Sequence, residues 1–130
     1  MAAGPTQRTL KRCRKLGWIP AVVERRLPRG FTTIDLYGGI DLVVMDNRPG
    51  LLGIQCTSGD HVAHRCAKLD ELPAMVEWLK RGLRLEVWGW RKLGKAGQRK
   101  LWNVRRTRAE LDGDGVNALG IKWTLVEEDT

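Results

Sequence analysis

The chain has 130 residues, with 23 Lys and Arg against 15 Asp and Glu, which gives a net charge of +8. This length suits one domain, and 42% hydrophobic with 29% charged residues excludes wholesale disorder. No apolar run approaches the roughly 20 residues that a membrane span needs, and the N-terminus lacks an apolar signal segment. Three cysteines at unrelated spacings do not indicate a disulfide framework. The sequence therefore predicts a small, soluble, cytoplasmic protein with no membrane partner.

The positive charge is concentrated in one segment. Between residues 91 and 108, 8 of 18 positions are Lys or Arg and none is acidic. Such a field attracts polyanions, of which nucleic acid is the commonest. Tryptophans in or beside the segment favour that interpretation over a merely solvated basic face. The segment's candidate nucleic-acid contacts are Arg91, Lys92, Lys95, Arg99, Lys100, Arg105 and Arg106.

The first predicted elements are a helix and a strand. Leu10 and Cys13 recur at helical spacing within residues 7–16, with Thr6 as the predicted N-cap and Gly17 as the stop. Residues 18–26 are apolar and β-branched at their centre, so they predict a strand. Pro20 places that strand at a sheet edge or near its own start.

Two strongly apolar segments follow. Residues 39–45 and 51–57 each predict a strand buried on both faces, and the turn at 47–50 joins them in a hairpin.

The second half predicts two helices and further strands. One helix begins at Ser58 or Asp60 and ends near Lys68, and the next restarts at Pro73. The later elements are strands near 84–90 and 101–106 around a basic loop at 94–100, with a final strand at 121–126. The expected fold is a single α/β domain over residues 1–130, with a mixed sheet flanked by helices. Its core covers about 7–106, and 107–130 form a C-terminal extension of uncertain structure.

Polar residues interrupt the two most apolar strands. Asp41 lies within the first strand, where an unpaired carboxylate costs several kcal/mol unless it is paired, neutralised or bound to a metal. Alternation in the second strand places Gln55 and Thr57 on one face. If the strands pair, these three side chains meet at one end of the hairpin. The alternative for Asp41 is a structural salt bridge to an arginine.

Two carboxylates upstream, Glu24 and Asp35, complete a candidate cation site. Asp35 is alternatively a turn or cap residue, and Glu24 an exposed strand residue paired with Arg25 or Arg26. Together with Asp41 they predict a site for Mg²⁺, which prefers carboxylate and amide oxygens and keeps several waters.

The helix after the second strand has a cationic face. His61, Arg65 and Lys68 share that face, and His64 lies four residues before Lys68. The face begins beside the motif strand, so it is a candidate phosphate contact, and a solvated surface is the alternative. A zinc site from these histidines with Cys56 is disfavoured, because the spacing matches no common closed site.

The segment Asp35–Asp41, the run Gln55-Cys56-Thr57 and the pair Arg65-x-x-Lys68 resemble the PD-(D/E)XK nuclease superfamily. The similarity is closest to its Holliday-junction-resolvase-like members and small phage nucleases. The resemblance implies a restriction-endonuclease-like α-β-β-β-α-β core. It also implies a Mg²⁺- or Mn²⁺-dependent endonuclease for branched or structured DNA, in a bacterial or phage-infected cell.

The resemblance also assigns roles to residues. Asp41 corresponds to the metal-binding Asp, Glu24 to an extra upstream acid, and the Cys56 carbonyl to a backbone ligand. Gln55 stands where the family has Glu or Asp, and its amide oxygen is a ligand without charge.

The chain departs from the family pattern at a second position. Thr57 replaces the catalytic Lys and cannot serve as a cation, so Lys68 or Arg65 is the expected substitute. If no substitution restores the chemistry, the chain is a catalytically decayed DNA-binding module. A third interpretation is a structural subunit or homodimer, with Trp88 and Trp90 on one strand face forming the interface.

Overall fold

The first helix, α1 (Pro5–Lys15), begins at a proline. Proline suits this position because the first N–H groups of a helix have no intrahelical partner. Gly4 is the N-cap, so the prediction that Thr6 caps the helix is wrong. Gly17 has a φ of 83° and ends the helix as predicted.

In the computed structural model, the residues described are 3–28, 33–113 and 120–126.

Short strands occupy the next part of the chain. The strand expected over 18–26 is two strands, and Asp41 lies at a bend before its strand rather than within it. The elements are β1 (Ile19–Val22), β2 (Arg25–Arg26), β3 (Thr33–Ile34), β4 (Leu42–Met45) and β5 (Leu52–Ser58).

The second half contains two helices and three strands. A single 3₁₀ turn, Gly59–His61, precedes the helix that was expected to begin at Ser58 or Asp60. The elements are α2 (Val62–Asp70), α3 (Pro73–Lys80), β6 (Arg84–Leu93), β7 (Leu101–Asp112) and β8 (Gly120–Leu125). The predicted helix restart at Pro73 is confirmed.

These elements form an α/β domain with a mixed six-stranded sheet in the order β1-β4-β5-β6-β7-β8. The predicted hairpin is confirmed, since β4 and β5 pair antiparallel with Leu42 opposite Ile54. β5 and β6 pair parallel, and α2 with α3 makes the crossover between them. β1 is an edge strand, as Pro20 predicted. β2 and β3 form a separate two-stranded ribbon.

The two faces of the sheet are covered by different helices. α1 packs on one face through Leu10 and Cys13, while α2 and α3 pack on the other through Leu69 and Met75. Trp88 and Trp90 lie in the core under α1, with exposed fractions of 0% and 7%. The suggestion that these two tryptophans form a dimer surface is therefore wrong.

The C-terminal region belongs to the same sheet. β7 continues through Asp112, and β8 pairs with it antiparallel as the outer strand. The expected boundary at residue 106 thus lies inside a strand, while residues 114–119 and 127–130 of the expected extension lie outside the described residues. None of the described helices has the length and apolarity needed to cross a membrane.

Candidate functional site

A tight turn brings Asp35 and Asp41 together. Leu36 and Ile40 form an isolated antiparallel bridge, so the residues flanking the bridge become neighbours. Gly38, at a φ of 79°, donates its N–H to the Asp35 carbonyl at 3.0 Å. Such a φ favours glycine. The segment Asp35–Asp41, which resembles part of a nuclease motif, is therefore a turn that brings its two end residues together.

Three carboxylates converge at this turn. The chain carries Glu24 to the same place because the Val23 N–H bonds to the Asp41 carbonyl at 2.9 Å. One carboxylate oxygen from each of Glu24, Asp35 and Asp41 lies within 4.8 Å of the other two. Asp41 is buried and the other two are half-buried. We call these three residues the acidic cluster.

β5 fixes the orientation of Asp41. Gln55 Nε2 donates to Asp41 Oδ2 at 2.6 Å, and the Cys56 N–H donates to the same oxygen at 2.8 Å. No arginine pairs with Asp41 among the described residues, so the salt-bridge alternative does not apply there. Thr57 is also buried, on the same strand face as Gln55.

Two oxygens of β5 are placed to complete a cation site. Gln55 Oε1 is buried and, within the described part of the chain, has no hydrogen-bond partner. A buried oxygen of this kind is a donor that a cation or a water can use. The N–H and C=O of one strand residue point to the same side, so the Cys56 carbonyl faces the same side as the N–H that binds Asp41.

The cluster changes the protonation of its own members. Burial raises the pKa of Asp41 to about 8, and a hydrogen bond to Asp35 and the charges of Asp35 and Glu24 act in the same direction. The Cys56 N–H acts against this rise. Burial, followed by the charge of Asp35, also raises the pKa of Glu24. Like charges at this separation disfavour ionisation, and a cation among them would reverse the effect.

α2 places one ammonium beside the cluster. Lys68 Nζ lies 3.9 Å from Asp35 Oδ2, with 39% of the lysine side chain exposed. Arg65 is half-buried, and its Nε has no hydrogen-bond partner within the described residues. His64 is exposed on the same helix. The structure therefore brings Lys68 to the carboxylates and leaves His64 at the surface.

A basic two-stranded ribbon extends beyond the end of β5, on the side of the sheet where the strands reach the acidic cluster. β5 ends opposite Trp90, whereas β6 and β7 continue to pair from Arg91 with Asn103 to Leu93 with Leu101. We call residues 91–103 the basic ribbon, and all of them are exposed. Its cations are Arg91, Lys92, Lys95, Arg99 and Lys100.

The two remaining candidates beyond the ribbon differ in role. Arg105 is exposed. Arg106 is committed to buried Glu86, with Nε to Oε1 at 2.8 Å and Nη2 to Oε2 at 3.2 Å. Arg106 thus has a structural role, and its assignment to the nucleic-acid surface stays a prediction. The sequence did not reveal this because Glu86 lies twenty positions away, on the neighbouring strand.

The sequence reasoning overlooked the cations of α1. Arg8 and Lys11 face the basic ribbon across a groove that also contains Trp102. The available signal was the absence of any Asp or Glu before Glu24.

Comparison with known proteins returned no match to a family model, a curated protein or a solved structure.

Proposed function

We propose that this protein is a metal-dependent DNA endonuclease that acts on branched or otherwise structured DNA. The observation that carries the proposal is the acidic cluster at the end of the β4–β5 hairpin, with the Lys68 ammonium beside it. Three oxygen donors at this separation suit Mg²⁺ or Mn²⁺. The unpartnered Gln55 Oε1 adds a neutral donor to that set.

The order of elements supports the proposal. When the separate β2–β3 ribbon and the second crossover helix α3 are set aside, α1, β1, β4, β5, α2 and β6 have the α-β-β-β-α-β order of the restriction-endonuclease-like core. The β4–β5 hairpin is antiparallel and the β5–β6 pair is parallel. On this proposal Asp41 and Gln55 correspond to the two motif positions of PD-(D/E)XK enzymes. Fold likeness alone does not give an activity, so the argument depends on the site.

Within the site, each residue has a distinct task. Gln55 Nε2 and the Cys56 N–H both donate to Asp41 Oδ2, which holds the carboxylate in one orientation, and a cation would replace the proton that Asp41 shares with Asp35. Glu24 and Asp35 provide the remaining carboxylates. A bound Mg²⁺ would lower the pKa of a water and offset the charge that develops on the phosphate.

The cations around the cluster bind and orient the substrate. Lys68 stands in for the missing motif lysine, and its ammonium stabilises negative charge that develops at the scissile phosphate. Arg65 and His64 lie on the same helix, and we assign them contacts to neighbouring phosphates. The basic ribbon contacts the backbone without reading base sequence.

One observation favours a second candidate, a DNA-binding module without catalysis. The amide of Gln55 holds Asp41 by a donated hydrogen bond, where a second carboxylate would repel it. Thr57 adds no cation. The Asp41–Gln55 pair needs no metal, because a protonated Asp41 and a neutral amide carry no net charge.

The deciding experiment incubates the protein with linear, nicked and four-way-junction DNA in Mg²⁺, Mn²⁺ or EDTA. The endonuclease requires cleavage with a divalent ion and none in EDTA. Asp41→Asn is the matched control, because it keeps the shape of the side chain and removes its charge. It should abolish cleavage and calorimetric Mn²⁺ binding while DNA affinity stays equal or rises.

Two results would decide against the proposal. Unchanged Mn²⁺ binding by Asp41→Asn would show that the acidic cluster is not the metal site. DNA binding without metal-dependent cleavage of any DNA form would leave the binding module.

A further inference from the structure

A second basic site lies on the opposite face of the sheet from the acidic cluster. α1 and the basic ribbon enclose a groove of about 360 Å³. We call it the α1–ribbon groove. The residues that line it are Ala3, Gln7, Arg8, Lys11, Arg12, Lys15, Trp90 and Trp102.

Trp102 fixes the position of Arg8. The guanidinium carbon of Arg8 lies 3.4 Å from the centre of the indole ring, and Lys92 Nζ lies 5.3 Å from the same centre. Arginine stacks flat on aromatic faces, which leaves its N–H edge available for a phosphate. This packing reduces the side-chain entropy that Arg8 loses when it binds an anion.

The two walls of the groove are held together. Trp90 Nε1 donates to Thr9 Oγ1 at 2.9 Å, and that hydroxyl donates to the Pro5 carbonyl at 2.9 Å. Both Thr9 and Trp90 are buried. Trp102 itself is 44% exposed, so its ring, with Arg8 and Lys92 packed against it, lies at an open surface.

The segments that form the groove carry no acidic side chain of their own. Residues 1–23 and 87–109, which supply both walls, contain no Asp or Glu. Within the described residues Arg8, Lys11, Lys15 and Lys92 form no salt bridge. Arg8, Lys11 and Lys15 follow one another at about one helical turn, or about 5 Å. A row of uncompensated cations along a groove fits a ligand with regularly repeated negative charges.

We propose that the α1–ribbon groove binds the phosphate backbone of a single nucleic-acid strand, with Arg8 as its anchor. A positively charged groove that tracks a backbone beside an exposed aromatic residue is typical of single-strand binding. The inference deepens the proposed function, on which its choice of ligand rests. It assigns a strand-binding site separate from the acidic cluster, so that one substrate can contact both faces of the sheet.

The test measures binding of a 20-nucleotide single-stranded DNA by fluorescence anisotropy in EDTA, where cleavage plays no part. Each phosphate that is neutralised contributes about 0.7 to the log–log salt slope, which is about fivefold in affinity at 0.1 M salt. Arg8→Ala with Lys11→Ala should therefore weaken binding about 25-fold and reduce the slope by about 1.4. Arg14→Ala removes one charge from the same helix outside the groove, and it should reproduce wild-type binding.

Variants of Trp102 test whether the indole ring positions Arg8 for binding or whether positive charge alone accounts for the affinity. Trp102→Ala should weaken binding severalfold although no charge is removed, whereas Trp102→Phe keeps a ring under Arg8 and should recover most of the affinity. Circular dichroism melting checks that each variant is folded, and Lys11→Ala alone serves if the double variant is not.

Several outcomes would overturn the inference. One is wild-type affinity and salt slope in the Arg8 and Lys11 variants, and another is a loss in Arg14→Ala as large as in those variants. A third is competition by polyglutamate as strong as that by unlabelled DNA, which would assign the groove to an acidic protein segment. Failure here leaves metal-dependent cleavage unaffected. Conversely, if the groove binds single-stranded DNA but the protein cleaves no form of DNA, only the endonuclease proposal is rejected.

Discussion

Gln55 donates a 2.6 Å hydrogen bond from Nε2 to Asp41 Oδ2, joining two buried residues fourteen positions apart. Gln55→Glu replaces that donor with a further carboxylate of the same shape. Without metal the variant should be less stable than the wild type, because another buried charge is added to the cluster. With Mn²⁺ its gain in melting temperature should exceed that of the wild type, since binding to the native state alone stabilises it. Equal gains in both proteins would place the ion away from residue 55.

The raised pKa of Asp41 determines how metal-free stability depends on pH. The native state holds a proton up to about pH 8, whereas in the unfolded chain the pKa is near 3.8. Between these values the native state binds more protons, so stability should fall as pH rises, by up to about 1.4 kcal/mol per pH unit. Urea unfolding in EDTA from pH 5 to 8.5 measures this slope.

Two further measurements tie that slope to the acidic cluster. Asp41→Asn should flatten it, leaving the smaller contribution of Glu24. Mn²⁺ should stabilise the wild type more at pH 8 than at pH 6 and release protons below pH 8, because it binds the carboxylate. A metal effect independent of pH would contradict the assignment.

Lys68 reaches the cluster from α2, with Nζ 3.9 Å from Asp35 Oδ2. If it replaces the motif lysine, Lys68→Ala should slow cleavage by about two to three orders of magnitude, as loss of one preorganised donor does. DNA affinity should change little. Lys68→Arg should recover only part of the rate, because a planar guanidinium does not reproduce a point charge. Wild-type cleavage by Lys68→Ala would shift attention to Arg65 or His64.

The tip of the basic ribbon is expected to bind phosphates. Changing Arg99 and Lys100 to Ala should weaken binding to all duplex sequences alike. The salt slope should become less steep by about 0.9 for each phosphate that the variant no longer neutralises. Titrations at 50 and 200 mM salt measure both quantities. A variant with wild-type affinity at both concentrations would exclude the tip from the interface.

Arg106 should behave differently from its neighbours in sequence. Its guanidinium neutralises Glu86, whose side chain is 3% exposed and also accepts a hydrogen bond from Trp88 Nε1 at 3.0 Å. Arg106→Ala should therefore lower the free energy of unfolding by up to about 3–5 kcal/mol, because buried Glu86 then keeps only the Trp88 hydrogen bond and a 3.9 Å contact with Arg108 Nε. Arg106→Ala with Glu86→Gln should recover part of this loss. A wild-type melting temperature for the single variant would argue against the buried pair.

The sequence by itself determined the hairpin and the residues that interrupt it. Apolar runs of strand length fix β4 and β5, and the polar positions Asp41, Gln55 and Thr57 stand out against them because burying such groups is costly. Period-two alternation correctly placed Gln55 and Thr57 on one face. The uneven distribution of charge was likewise visible without a structure.

The sequence proposed Glu24 and Asp35 as partners of Asp41, but only the tertiary structure decided that the three carboxylates meet and which cations are committed to buried partners. Glu24 and Asp35 reach Asp41 through a turn and a single backbone bond, neither of which leaves a periodic pattern. The same limit applies to Trp88 and Arg106, since alternation shows that residues share a face but not what covers it. α1 covers the face that carries Trp88 and Trp90, so the two tryptophans are core residues. Glu86 lies on the same face, so Arg106 pairs with a buried carboxylate.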